Sequence, residues 1–316
     1  MNGLVNINKP AGMSSRQVVD RVAALAKTRR VGHTGTLDPL AEGVLVVCLG
    51  TATRLAEYVQ RMVKVYRAEF MLACRSETDD IETQIEVVAD AVMPTRETIE
   101  AAAREWTGEV RQRPPAYSAI KVKGQRAYRL ARAGRKVEIP ERTVHIERIE
   151  LVAYDPPKLE LEITCHAGTY IRSLGRDLAA TAGTCAVMSR LTRTAVGTFS
   201  LQQAVPLPEL KDRADVLRAL LPLRAAVAEL PQWELTEDQL AKIEHGQSVA
   251  LESAVNTSGT LGQGANTEVA ALDEAGNLRA VLVCRRDGWG PKKVFPIGPT
   301  IDSRPETWRT RRCTPD

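Results

Sequence analysis

A chain of 316 residues is long enough for one large domain and a small second one without disulfide or metal support. Its hydrophobic share of 44% and charged share of 26% are ordinary for a soluble globular protein, and no apolar run reaches membrane-spanning length. The net charge of +4 alone does not identify a nucleic-acid-binding protein. Because the six cysteines are scattered without a C-x-x-C pair and the first residues lack a signal-peptide layout, we expect a reduced cytoplasmic protein without a structural metal.

The amino-terminal half alternates between strand and helix patterns. Ser14 with Gln17 three residues later is a capping-box pattern, so a helix is expected to begin directly after Ser14. Apolar runs and period-two alternation predict strands at 4–8, 44–49 and 65–73. Helical spacing and start signals predict helices at 15–27, 53–60 and 94–106.

The second half contains more strand patterns than helix patterns. The predicted strands are 144–152, 159–164, 269–273 and 278–284, and the predicted helices are 170–181 and 236–244. This pattern indicates an α+β fold with a mixed, largely antiparallel central sheet, flanking helices and a small β-rich carboxyl-terminal domain. Residues 253–267 are rich in Gly, Ser, Asn and Thr, which predicts a mobile loop.

One segment, which we call the basic segment (residues 111–136), is anomalous in charge. It holds nine Arg or Lys and no acidic residue, with tyrosines between them. A solvated basic face is one interpretation. Nine like charges repel one another, however, so contact with phosphates explains the cluster better. The residues predicted to contact a nucleic-acid backbone are Lys121, Lys123, Arg126, Arg129 and Arg132.

The sequence GHTGTLDPLAEG at 32–43 predicts a tight loop that leads into a buried strand. A lone carboxylate on such a loop, Asp38, is well placed for chemistry. An Asp-Pro step is also common in ordinary turns, which gives Asp38 a purely structural alternative. Asp38 with Glu42 could form the carboxylate pair of a glycoside hydrolase, but an aromatic content of 4% argues against a sugar-binding cleft.

The pattern G-H-x-G-T-L-D-P-x-A-x-G strongly resembles the active-site loop of the TruB family of tRNA pseudouridine synthases. Four further segments resemble family motifs in the family's order: K-P-A-G-M-S-S from Lys9, K-V-Y-R from Lys64, G-T-Y-I-R-S-L from Gly168 and S-R-L-T-R from Ser189. The resemblance covers about residues 1–200. It implies the pseudouridine-synthase fold and a cofactor-free isomerase that converts uridine-55 in the T-arm loop of tRNA to pseudouridine.

The resemblance also implies roles for single residues. Asp38 corresponds to the family's nucleophile and Arg172 to its ion-pair partner. Tyr66 corresponds to the tyrosine that stacks under the target base, and its hydroxyl could take part in proton removal from C5. Without the motifs, Arg172 would pass as a solvent-facing helix residue and Tyr66 as a core residue.

Other positions are implied to bind the substrate. Tyr170 and Leu191 are expected to form the wall of the base pocket, and His33 to hold the flipped nucleotide. Asp80 aligns with an aspartate that contacts the target region, and Lys9 belongs to the opening motif. The turn at 73–83 departs from the family pattern, since Ala and Thr stand where glycines are usual.

The predicted domains are a catalytic domain at 1–225 with the basic segment as an RNA-clamping insertion, a PUA-like RNA-binding domain at 226–299 and a disordered tail at 300–316. The implied partner is tRNA, bound through its T-arm and acceptor arm by a monomer with no obligatory protein partner and no membrane association. Two alternatives stay open. A non-catalytic tRNA-folding protein would not need Asp38, and a guide-RNA-dependent synthase would lack the basic insertion.

Overall fold

The computed structural model describes residues 1–118, 120–122, 124–127, 139–250, 267–285 and 288–295. Lys123, Arg129 and Arg132, nearly all of the predicted loop at 253–267 and the predicted tail at 300–316 lie outside these residues. Lys121 and Arg126 lie on two short strands that pair with each other. No helix in the described ranges is long and apolar enough to cross a membrane.

The described residues form eighteen strands and six α-helices, numbered here in chain order. The strands are β1 (Gly3–Lys9), β2 (Val31–His33), β3 (Glu42–Leu49), β4 (Lys64–Leu72), β5 (Cys74–Arg75), β6 (Glu86–Val87), β7 (Gly108–Gln112), β8 (Lys121–Val122), β9 (Gln125–Arg126), β10 (Arg142–Asp155), β11 (Lys158–Cys165), β12 (Ala186–Val196), β13 (Phe199–Ser200), β14 (Val205–Pro206), β15 (Gln232–Glu234), β16 (Glu268–Leu272), β17 (Leu278–Arg285) and β18 (Gly288–Val294). The helices are α1 (Ser15–Ala26), α2 (Ala56–Arg61), α3 (Arg96–Glu105), α4 (Ile171–Thr181), α5 (Arg213–Arg218) and α6 (Glu237–Glu244). Short 3-10 helices lie at Gly50–Leu55, Leu201–Gln203, Leu207–Glu209 and Leu223–Val227.

A ten-stranded sheet forms the centre of the molecule, in the order β14-β1-β3-β12-β4-β11-β10-β7, with β2 on β3 and β13 on β12. Among the described strand pairs of this central sheet, only β1–β14 and β3–β12 are parallel. The predicted mixed, largely antiparallel sheet is therefore confirmed. The predicted carboxyl-terminal strand pair is also confirmed, as β16 and β17 in a four-stranded sheet with β15 and β18.

The strand β12 lies in the middle of the central sheet, between β3 and β4, yet the sequence analysis assigned no strand there. Polar residues such as Arg190, Thr192 and Arg193 interrupt its apolar pattern. They are tolerated because they bond to groups of β3 and of the neighbouring loops. The predicted helix at 53–60 begins as a 3-10 helix and becomes α-helical only at Ala56.

Both faces of the central sheet are buried along β3. Along β3, Leu45, Val47 and Leu49 pack in the core that α1, α3 and α4 cover, while Val44 and Val46 face a second core. That second core includes residues of β16 and β17, so the carboxyl-terminal sheet packs on the central one. Each fully buried large aliphatic side chain contributes roughly 1.5–3 kcal/mol, which makes this shared core a substantial part of the stability.

Two features fix the helices that carry site residues. The helix α1 begins with the predicted capping box, in which the Ser14 side chain accepts from Gln17 N–H and the Gln17 side chain accepts from Ser14 N–H. On α4, Gly175 lies directly over Phe70 of β4, and a Cβ there would stand 1.9 Å from the Phe70 ring. Only glycine lets α4 approach the sheet this closely, and the same helix carries Arg172.

Candidate active site

A cavity of about 720 Å³ opens where the loop between β2 and β3 faces the beginning of α4. The strands β4 and β12 contribute its floor. Six residues that the sequence analysis selected line it, namely His33, Asp38, Tyr66, Tyr170, Arg172 and Leu191. Elements far apart in sequence therefore bring the predicted catalytic residues to one cavity.

Residues at the end of β1 and at the start of α1 hold the Asp38 loop by hydrogen bonds. The Lys9 ammonium donates to the carbonyls of Pro10, Met13 and Pro39, the first at 2.9 Å. Ser15 Oγ donates to Leu37 O at 2.9 Å and accepts from Leu37 N–H at 2.8 Å. These bonds satisfy the backbone on either side of Asp38, so the loop has a defined shape before any ligand binds.

Arg193 holds the same loop from the side of β12. It is buried, and it donates to Val44 O at 2.8 Å and to Gly35 O at 3.1 Å. At Gly43 the backbone φ is +99°, and a Cβ would stand 2.3 Å from Arg193 O. The glycine that ends the motif is therefore required both by its backbone conformation and by the close approach of β12.

Asp38 forms an ion pair with Arg172 at the wall of the cavity. The Arg172 Nε to Asp38 Oδ2 distance is 3.0 Å, although the N–H is not aligned for a hydrogen bond. The Arg172 side chain is 6% exposed and that of Asp38 is 33% exposed. The carboxylate is thus open to a ligand while its cationic partner is buried.

Three further contacts fix the guanidinium of Arg172. Its Nη1 lies 3.3 Å from Asp80 Oδ2 and donates to Thr78 O at 2.8 Å, and its Nη2 donates to Tyr117 O at 3.1 Å. Asp80 is completely buried, and it also accepts a hydrogen bond from Glu82 N–H at 3.0 Å. A buried arginine between two carboxylates is held in one orientation.

The electrostatics of Asp38 result from opposing effects. Burial raises the pKa of its carboxyl above the ordinary value of 3.8, and the nearby Asp80 charge raises it further. The Arg172 guanidinium and the Lys9 ammonium lower the pKa of Asp38, but they do not fully offset burial. A partly desolvated carboxylate beside a fixed cation is a more reactive nucleophile than a hydrated one.

A sequence profile described as "TruB family pseudouridylate synthase (N terminal domain)" matches residues 23–171, which include the Asp38 loop and the start of α4. A protein of Streptococcus sanguinis named tRNA pseudouridine synthase B is 36% identical over 309 residues, covering 93% of this chain and 100% of its own length. A protein of the same name from Dehalococcoides mccartyi is 38% identical over 299 residues, covering 93% of this chain and 97% of its own length. The chain belongs to the TruB family.

Solved structures share the fold of this TruB-family chain. A structure of an H/ACA RNP bound to a substrate RNA containing 2'-deoxyuridine matches with a TM-score of 0.71 and 23% identity, covering 93% of this chain and 85% of the other. A Cbf5-Nop10-Gar1 complex matches with a TM-score of 0.71 and 24% identity, covering 92% and 83%. At this level of identity the likeness concerns the fold.

Tyr66 and Leu191 form the floor of the cavity in this TruB-family chain. Tyr66 lies on β4 and Leu191 on the adjacent, antiparallel β12, and their exposed fractions are 8% and 5%. Burial raises the pKa of the Tyr66 hydroxyl, against a smaller lowering effect of Arg193. The phenol is therefore neutral near pH 7, and it faces the cavity with its ring beside Leu191.

His33 and Tyr170 lie on opposite sides of the cavity. Burial lowers the pKa of His33, and the charges of Arg193 and Arg16 lower it further, so the imidazole is neutral near pH 7. Its Nδ1 is buried and has no hydrogen-bond partner among the residues that the structure describes. Tyr170 stands at the start of α4, with its ring 4.8 Å from the guanidinium carbon of Arg142.

Two predicted substrate-binding residues are placed elsewhere. Asp80 and Lys9 are completely buried and do not line the cavity. Asp80 contacts Thr78 Oγ1, Glu82 N–H and the Arg172 guanidinium, and Lys9 contacts three backbone carbonyls. Burial lowers the pKa of Lys9 to about 8. The sequence predicts substrate contact for both residues; in the structure Asp80 contacts Arg172 and Lys9 contacts the Asp38 loop.

The sequence analysis assigned no role to four residues that line the cavity or hold its wall, namely Gln112, Arg142, His166 and Arg193. Arg193 is the last residue of the segment S-R-L-T-R, which resembles a family motif, so the sequence contained a signal for it. Gln112 lies near the start of the basic segment and Arg142 lies after its end, and neither stands in a motif that resembles the family. His166 lines the cavity, and its Nε2 lies 2.8 Å from Glu147 Oε1. It follows the predicted strand at 159–164 and stands outside the segments that resemble family motifs.

Proposed function

We propose that this protein is a tRNA pseudouridine synthase that isomerises uridine-55 in the T-arm loop of tRNA, with Asp38 as the nucleophile. The observation that carries the proposal is the ion pair between the partly exposed Asp38 carboxylate and the buried Arg172 guanidinium. It lies at the wall of a cavity of about 720 Å³. A cavity of this size accommodates a single flipped nucleotide.

The reaction exchanges one bond of the base for another. The C1′–N1 glycosidic bond breaks, the base rotates, and a bond forms between C1′ and C5. The proton on C5 leaves and N1 gains a proton, so the product is an isomer of the substrate. A carboxylate that adds to the nucleotide and leaves again lowers the barrier by dividing this exchange into two steps. Asp38 is the carboxylate that faces the cavity beside a fixed cation.

Arg172 has two functions in this scheme. Its positive charge lowers the pKa of Asp38 against the effect of burial and so favours the ionised carboxylate, and its fixed contacts hold the guanidinium beside that carboxylate at the cavity wall. Asp80 acts indirectly, because it holds the guanidinium at a distance of 3.3 Å and does not line the cavity.

Tyr66 supports the flipped base by stacking. The ring is buried in the floor of the cavity next to Leu191, which provides an apolar surface for a base that has lost its neighbours in the RNA. Because burial raises the pKa of its hydroxyl, Tyr66 is disfavoured as a phenolate and is a poor proton acceptor. Stacking is therefore the stronger part of its proposed role.

Binding of the RNA itself is assigned to the basic segment. Its lysines and arginines would contact phosphates of the T-arm, and the unstacked bases of an RNA loop suit recognition by aromatic rings. Within this proposal, residues 1–225 carry catalysis and 226–299 form a PUA-like domain for the acceptor arm. The enzyme acts as a cytoplasmic monomer without an obligatory protein partner.

Incubation of the purified protein with an unmodified tRNA transcript tests the proposal, with no other protein, guide RNA or cofactor added. Mapping of pseudouridine should find the product at position 55 in the T-arm loop. A transcript with cytidine at that position is the matched control and should stay unmodified. Absence of product would contradict the catalytic proposal and favour a tRNA-folding protein. Product that appears only after addition of a guide RNA and partner proteins would favour the guide-dependent class.

A further inference from the structure

The basic segment leaves and rejoins the central sheet at two residues that pair with each other. Gln112 is the last residue of β7 and Arg142 is the first residue of β10, and they stand opposite each other in the antiparallel ladder. Nearly all of the basic segment lies between them in sequence. The two ends of this part of the chain are therefore held next to each other in the central sheet.

Gln112 contacts a single residue of the cavity wall with both ends of its amide. Its Nε2 donates to Tyr170 O at 3.0 Å, and its Oε1 accepts from Tyr170 N–H at 2.8 Å. Gln112 is completely buried, so water does not compete for these bonds. Tyr170 has no side-chain cap of its own at the start of α4, and Gln112 supplies the acceptor instead.

Arg142 contacts the same residue from the other side. Its guanidinium carbon lies 4.8 Å from the centroid of the Tyr170 ring, and its Nη2 donates to Gly168 O. A planar guanidinium over an aromatic ring restricts the orientation of that ring. Together, Gln112 fixes the backbone of Tyr170 and Arg142 fixes its side chain.

The first residues of the basic segment extend this contact along α4. Arg113 O accepts from Ser173 Oγ at 2.9 Å and from Arg176 Nη2 at 3.1 Å, and Tyr117 O accepts from Arg172 Nη2 at 3.1 Å. The start of the helix that carries Arg172 is thus bonded to the segment predicted to bind RNA.

We propose that Gln112 and Arg142 are positioning residues that clamp Tyr170 and so couple the basic segment to the base pocket. When phosphates hold the segment, the clamp keeps the pocket wall and the start of α4 in the arrangement that the reaction requires. This inference rests on the proposed function for its kinetic consequence, whereas the clamp itself is a property of the protein alone.

Gln112→Met and Arg142→Met test the kinetic consequence, because methionine keeps an unbranched chain and removes the polar contacts. With an unmodified tRNA transcript and saturating enzyme, we expect the single-turnover rate to fall on the order of 10- to 100-fold, since misplacement by about 1 Å has effects of this size. The Kd for the transcript should change little. Gln202→Met and Arg148→Met replace exposed residues that do not line the cavity and should keep the wild-type rate.

A double-mutant comparison separates the clamp from general damage. In a Tyr170→Leu background, Arg142→Met should add no further loss, because the ring that it orients is already gone. Independent losses that multiply would overturn the assignment. So would a wild-type single-turnover rate in both methionine variants, or a loss confined to the Kd.

Hydrogen exchange tests the clamp without any substrate. The amides of residues 170–174 should exchange faster in Gln112→Met than in the wild type, while those of β3 stay protected. Equal protection in the two proteins would overturn the clamp even if the enzyme is active. Conversely, faster exchange in the variant of a protein that produces no pseudouridine would retain the clamp and reject only the proposed function. If Gln112→Met does not fold, Arg142→Met provides the same comparison at a less buried position.

Discussion

The two sides of the cavity are held in different ways. On the Asp38 side, Lys9, Ser15 and Arg193 bond the loop to residues of the central sheet and α1. On the α4 side, the residues that face the cavity are bonded to Gln112 and Tyr117, at and after the point where the basic segment leaves the sheet. The loop with the proposed nucleophile is thus held by the central sheet and α1, whereas its ion-pair partner Arg172 is bonded to the segment that we propose to bind RNA.

Because of this difference, we expect the two sides of the cavity to have different roles. The Asp38 loop is bonded to Lys9, Ser15 and Arg193, whereas Arg172 and Tyr170 are bonded to Tyr117 and Gln112 of the basic segment. An arrangement of this kind completes the site only when both parts are in place, which favours the correct substrate. Substitutions on the two sides should therefore have different effects, and the following predictions sharpen that comparison.

The largest effect on the α4 side is expected for Arg172→Met. The substitution leaves Asp38 and the buried Asp80 without their cation, so the free energy of unfolding should fall by about 3–5 kcal/mol. The single-turnover rate should fall by about 10³-fold. Urea unfolding and turnover of a tRNA transcript measure the two effects, with the exposed Arg148→Met as the control. Retention of activity would remove Arg172 from the proposed mechanism.

On the Asp38 side, Gly43→Ala should act through stability. The backbone φ of +99° and the contact of a Cβ with Arg193 O make the substitution unfavourable by about 3 kcal/mol. Gly32→Ala is the matched control, because its backbone φ lies outside the left-handed region and no atom of the described residues lies within 4 Å of the added Cβ. Thermal unfolding should separate the two variants clearly, and equal melting temperatures would show that the loop is not held as described.

A smaller effect is expected for Asp80→Asn, which removes the charge and keeps an acceptor for Glu82 N–H. The guanidinium of Arg172 loses one of its two carboxylate partners, and the single-turnover rate should fall by about 10-fold. Because Asp80 raises the pKa of Asp38, the acid limb of the rate profile should also move to lower pH. A limb that moves to higher pH would indicate that Arg172 has left Asp38.

The smallest effect concerns stability and pH. Burial raises the pKa of Asp38 in the folded protein above 3.8, so the folded state binds this proton more tightly than the unfolded state. The stability that the protonated group provides is present below 3.8 and is lost as the pH rises through the folded pKa. Asp38→Asn should therefore stabilise the protein at neutral pH relative to the wild type, and the difference should shrink in acid. Urea unfolding at several pH values measures it.

Much of the architecture could be predicted from local pattern. The capping box of α1, the apolar run of β3 and the alternation of β4 each follow from side chains that pack within the same element. The strand β12 could not be predicted this way, because Arg190 and Arg193 are satisfied by partners 148 to 158 residues away. Such distant bonds leave no periodic signal in the strand itself.

The residues of the site divide in the same way, into those that local motifs identify and those whose positions depend on distant contacts. Asp38, Tyr66 and Arg172 stand in motifs that resemble a known family, and the structure brings them to one cavity. The positions of Asp80 and Lys9 could not be predicted, since a motif identifies a residue without stating whether its side chain faces the ligand or the loop behind it. Gln112 carries no charge and stands in a basic stretch, so only its two bonds to Tyr170 reveal it.

The most direct measurement of the central claim is the release of tritium from a tRNA transcript labelled at C5 of its uridines, compared between the wild type and Asp38→Asn. Formation of the C1′–C5 bond requires that the label leave C5, so the wild type should release one label for each pseudouridine formed. Asp38→Asn should bind the transcript and release none above background. Release at the wild-type rate by the asparagine variant would contradict the assignment of Asp38 as the nucleophile.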